Sequence, residues 1–89
     1  MPFAVICRDK PGALEIRKAN RDAHLAYAAE QPMVVAGPML DDAGAMIGSL
    51  LILDTDDRAA AEAFAANDPY ARAGLFESVE IVAWKRVIG

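Results

Sequence analysis

Three side chains able to move protons or hold anions recur through one short run: Arg17, Arg21 and His24 in "RKANRDAHL", residues 17–25, with His24 the only histidine of the chain. On a helix advancing about 100° per residue they share one stripe. Glu15, Lys18 and Asp22 fall on a separate, solvent-like arc, and apolar residues bracket the stripe, with Leu14 and Leu25 on one side and Ile16, Ala23 and Tyr27 on the other. The stripe is therefore expected to face inward, where a charge without a partner is costly. An imidazole there can act as a general base, and either guanidinium can hold a carboxylate or phenolate.

A carboxylate to orient the ring is available in Asp68 of "NDPY", which falls on a connection and could lie at the end of the sheet near the first helix. Gly37-Pro38 and Gly48-Ser49 interrupt two strand-like runs and could each open space beside a sheet. Ser49 also brings a hydroxyl for a ligand or for His24. A covalent nucleophile is not evident: Ser49 has no demonstrated base, and Cys7, alone in an apolar run, reads as a small core residue. One histidine beside two cations, with no cysteine nearby, disfavours a metal site, and no cofactor is expected. The competing reading is a non-catalytic dimeric module that binds a small anionic metabolite or a protein partner, with the stripe as a satisfied polar cluster.

Elements able to position these residues follow from the hydrophobic pattern. "FAVICR" reads as a strand closed by "DKPG", and the stretch from Ala13 to about Glu30, free of Gly and Pro, as a helix ending before Pro32. "MVVAGPM" and "AMIGSLLIL" form a hairpin around "DDAG", and the acidic run Asp54 to Asp57 can cap a second helix whose stripe is Ala60, Ala61, Phe64 and Ala65. Pro69 ends that helix, and "LFESVEIVAWKRVI" supplies a last strand of about fourteen residues, long beside the usual length. The order βαββαβ predicts an α+β, ferredoxin-like antiparallel sheet with both helices on one face. Apolar residues at odd and even strand positions call for cover on the other face too, which predicts a homodimer packed sheet to sheet.

With 89 residues, 55% of them apolar, the chain is expected to form one domain spanning residues 1–89. A net charge of −4 with scattered acidic residues offers no footprint for nucleic acid. No window approaches the ~18 apolar residues of a membrane span and the start has no leader pattern, so a cytoplasmic location without membrane partners is expected.

Taken in register, "LEIRKANRDAHL", "AGPM", Gly48-Ser49 and "NDPYARAGLFESV" resemble the helix, the second-strand turn, the third-strand pair and the Asp-Pro-Tyr segment of the YCII-related (YciI-like) family. The resemblance runs over nearly the whole chain. It implies a ferredoxin-like fold dimerised into an α+β barrel, with His24 paired to Asp68. Arg17, Arg21, Ser49, Gly37 and Tyr70 are then the candidates for binding a small-molecule substrate. It also implies proton-transfer chemistry of lyase or isomerase type, as in relatives similar to muconolactone isomerases or in a dehydrochlorinase acting on a chlorinated hydroxyquinol. The hairpin between Met39 and Ala45 is shorter here than in some members, and such loops shape substrate pockets.

Overall fold

The computed structural model describes all residues, Met1–Gly89. The elements run β1 (Phe3–Asp9), α1 (Leu14–Ala29), β2 (Met33–Leu40), β3 (Met46–Leu53), α2 (Arg58–Asn67), α3 (Pro69–Arg72) and β4 (Phe76–Ala83). All strand pairs are antiparallel and the sheet order is β2-β3-β1-β4, the split βαβ arrangement expected from the pattern.

Local chemistry explains the boundaries. Gly12, at φ +71°, makes the turn into α1, a backbone region in which a side chain is strained. Asp41 accepts hydrogen bonds from the Ala43 and Ala45 amides and so folds the β2–β3 turn. Asp57 caps α2 by accepting from the Ala59 amide at 2.9 Å. On α2, Ala61, Phe64 and Ala65 are buried, whereas Ala60, expected on the same stripe, is exposed because the helix offers the sheet a narrower face than the sequence pattern drew.

The main core lies between the sheet and α2, formed by Phe3, Val5 and Cys7 of β1, Leu51 and Leu53 of β3, and those three α2 residues. Tyr27 of α1 closes it, stacking on Phe64 and donating its hydroxyl to the Phe64 carbonyl. Odd-numbered β1 residues point to the helices. Pairing of Ala4 with Ile52 and Val82, and of Ile6 with Leu50 and Glu80, sends the other set to the opposite face. There Val35 (57% exposed), Leu50 and Val82 remain in contact with solvent.

Two expectations need correction. The last strand is eight residues long, not fourteen. Its partner β1 begins at Phe3 opposite Ala83, so beyond the bond from the Trp84 amide to the Pro2 carbonyl no neighbouring strand remains to pair with. Asp68 is also not on a plain connection. It ends α2 and begins the short helix α3, with Pro69 at the first helical position, where a missing amide hydrogen costs nothing.

Burial also fixes an alkaline response. Burial, with a contribution from Asp68, pushes the Cys7 thiol up to about 12 from its ordinary 9.0, and burial raises both Tyr27 and Tyr70. All three acids hold their protons more tightly folded than unfolded. Their contribution is complete below the ordinary thiol value and is lost as pH rises through it toward the folded values. Urea midpoints should therefore fall between about pH 8 and about pH 10.5, the range in which the unfolded thiol ionises; a flat or rising midpoint would contradict the buried placement.

Candidate active site

The site is assembled by the inward stripe of α1, the start of α3 and the middle of β3. Arg17 and His24, two helical turns apart, are the only residues of α1 that are fully buried, at 2% and 7% exposure. Tyr70 bridges them: its ring stacks on the imidazole at 4.0 Å and 13°, and the Arg17 guanidinium lies 4.6 Å from its centroid. The Phe76 ring meets Tyr70 edge-on at 6.0 Å, which fixes the tyrosine from a third side.

Asp68, 1% exposed, stands behind the imidazole. Nδ1 of His24 lies 2.9 and 3.0 Å from its two carboxylate oxygens. The Tyr70 amide donates to Oδ1 at 2.9 Å, so the same carboxylate caps α3. An ionised carboxylate only accepts, which assigns a proton to Nδ1 and leaves Nε2 as the ring nitrogen without a protein partner. No buried polar side-chain atom in the chain lacks a partner. Nε2 of His24, which has no hydrogen bond within the protein, therefore reaches open space.

That space is a cavity of about 120 Å³ between α1 and the β2–β3 half of the sheet. Arg17, Arg21, His24, Ser49 and Tyr70 supply its polar side, and Leu25, Ala28, Ala36, Pro38, Met46 and Leu51 its apolar side. An apolar cavity of about 150 Å³ admits benzene, so this one suits a single small ring. It exists because α1 makes its close contacts with α3 rather than with β2 or β3.

Arg17 is held by a residue that the sequence reading passed over. Its Nε and Nη2 donate to the two oxygens of Asp9 at 2.7 and 2.9 Å, and Nη2 also donates to the Ser49 hydroxyl at 2.9 Å. Burial works against the Arg17 charge, yet the hydrogen bonds and charge of Asp9 outweigh it and hold the guanidinium above its usual range. Burial raises Tyr70 and the Arg17 charge offsets only part of that, so the phenol keeps its proton and stays a donor. The available signal for Asp9 was parity: it follows Phe3, Val5 and Cys7 on the inward face of β1.

Other expectations resolve residue by residue. Arg21 is not buried with its neighbours; it is exposed at the cavity rim, because the stripe there passes over the edge strand β2, where the sheet ends. Ser49 bonds Arg17 rather than His24. Gly37 lines the cavity, but a side chain at this position would meet nothing within 4 Å, so close approach is not its role. Gly48 is the crowded one, since a Cβ there would collide with the Cys7 carbonyl oxygen and the end of Met39. Pro38 sits on the edge strand, as its missing donor requires.

The chain is 36% identical to Protein YciI of Escherichia coli over 97 residues, which covers 98% of this chain and 99% of that protein. It is 34% identical to an uncharacterized protein of Haemophilus influenzae over the same length. Among solved structures it is similar to 5-chloro-2-hydroxyhydroquinone dehydrochlorinase (TftG) from Burkholderia phenoliruptrix in complex with 2,5-dihydroxybenzoquinone, with a TM-score of 0.89, 35% identity, and coverage of 98% of this chain and 96% of that one. The model of the YCII-related domain matches residues 1–85, and the chain with its His24–Asp68 pair beside a small cavity belongs to that family.

Proposed function

We propose that the chain is a small cytoplasmic proton-transfer enzyme of lyase or isomerase type, acting on a small anionic substrate derived from an aromatic ring. The observation that carries this reading is the imidazole itself. Nδ1 is bound to both oxygens of Asp68 while Nε2 opens on a cavity of ring size. Nε2 takes a proton from a C–H or O–H of the substrate, and Asp68 orients the ring and favours the imidazolium that results. One guanidinium of the α1 stripe and the Tyr70 hydroxyl are the donors on hand for the negative charge that develops. In a dehydrochlorination the electron pair left by the departing proton expels chloride, and the imidazolium returns its proton to solvent. TftG, whose chemistry is of this type by its name, supports that version, since it shares 35% of the sequence.

Chloride release from a chlorinated hydroxyquinol tests the assignment. His24→Ala should lower turnover by about 10²- to 10⁴-fold, the usual worth of acid–base help. Asp68→Asn should lower turnover as well, with the substrate still bound. Full turnover by His24→Ala would end the assignment.

The protein works as a homodimer in this reading, with a second copy covering the open sheet face. That face carries Val35, Leu50 and Val82 together with Arg8 and Glu80, so it offers both signs of charge to its own two-fold mate. Sedimentation at micromolar concentration should give a dimer, and Leu50→Asp should shift it to monomer. A wild-type monomer would contradict the proposed association.

A further inference from the structure

The two arginines of the cavity differ in what their charge already meets. Arg17 is matched before any ligand arrives, through its two bonds to the buried Asp9 carboxylate. Arg21, one turn further along α1, enters no ion pair and donates no side-chain hydrogen bond within the chain. Its head is solvated at the rim, so holding it ready costs little desolvation, and it lies on the same helical stripe as His24, three residues ahead. The His24 ring, with its Nδ1 bonded to Asp68 and acting as a base at Nε2, brings no standing charge of its own. Arg21 is thus the one cationic side chain lining the cavity whose charge no carboxylate offsets.

We propose that Arg21 sets the charge preference at the rim of the cavity, holding the ionised oxygen of a small phenolate or carboxylate there, while Arg17, already paired with Asp9, serves as a positioning residue for Ser49 and Tyr70. The proposal rests on the reading of the cavity as a substrate site. Geometry limits the ligand: an oxygen at Arg21 and an atom at Nε2 of His24 must belong to one molecule small enough for a space of about 120 Å³. A single ring with an acidic oxygen on one side and the reacting atom on the other meets that demand. The Arg21 charge also reaches into the cavity, where it acts to lower the Tyr70 phenol, behind the larger effects of burial and of Arg17. Because the chain as a whole carries a net charge of −4, attraction of an anion here is local and not a property of the overall field.

A coloured phenol that ionises near neutrality, 4-nitrophenol, separates the possibilities. Its affinity is measured on either side of its own ionisation, by absorbance and by the NMR signals of the His24 ring, which report occupancy of this cavity. The wild type should bind phenolate about 10-fold more tightly than phenol, the scale of one charge-assisted hydrogen bond at a partly solvated site. Arg21→Gln, at an exposed position that leaves the core intact, should bring the two affinities to within about 2-fold of each other by weakening the phenolate alone. A phenolate preference that survives in Arg21→Gln, or none in the wild type, overturns the assignment to Arg21 while leaving the cavity as a binding site. If neither form perturbs His24 in the wild type, the cavity reading falls and this proposal with it.

Discussion

The Asp68 carboxylate is the point on which the rest of the structure turns. It ends α2, caps α3, and receives His24 of α1 on both of its oxygens, so one buried acid fixes the mutual placement of three helices. The arrangement is self-consistent in hydrogen bonds. Removing the carboxylate would strand the imidazole nitrogen and the Tyr70 amide together, and buried groups left unpaired cost more than the bonds gain. Through the Tyr70 amide the same acid sets the height of the Tyr70 ring, and the ring fills the gap between His24 and Arg17. The cavity is what remains of that gap toward the edge of the sheet.

A second buried acid plays a different part. Asp9 at the end of β1 grips Arg17 in the two-point geometry that suits a guanidinium. A buried arginine without such a partner would leave an uncompensated charge, typically a loss of about 3–5 kcal/mol when one member of a pair is removed. With it, the guanidinium becomes a fixed donor that reaches Ser49, and Gly48 allows β3 to approach β1 closely enough for that contact. The polar stripe of α1 is thus tied at both ends, to β1 through Asp9 and to α3 through Asp68. Its middle member, Arg21, is left untied.

Much of this was legible in the sequence. Element order, helix limits and the inward turn of Arg17 and His24 follow from hydrophobic period, from Pro and Gly punctuation, and from the cost of exposing apolar flanks. The limits of that logic show in particular residues. Ile16 and Leu25, the apolar flanks that bracket the stripe, are themselves exposed, because α1 rests on α3 and leaves a cavity over β2 and β3. A helical wheel gives direction but not distance to the sheet, so the exposure of Arg21 could not be read from it. The length of β4 depends on where β1 begins, a non-local fact that local apolar content does not carry. Asp9 was accessible by strand parity, and went unread because "DKPG" looked like a turn from its first residue.

Asp68 holds the His24 proton on Nδ1 and turns Nε2 toward the cavity. Long-range ¹⁵N–¹H correlation spectra of the single histidine measure this directly, since the two nitrogens of a neutral imidazole differ according to which carries hydrogen. The account predicts a protonated Nδ1 and an unprotonated Nε2, with the pattern lost in Asp68→Asn. The opposite tautomer in the wild type, or a ring exchanging freely between both forms as in a solvated histidine, would contradict it.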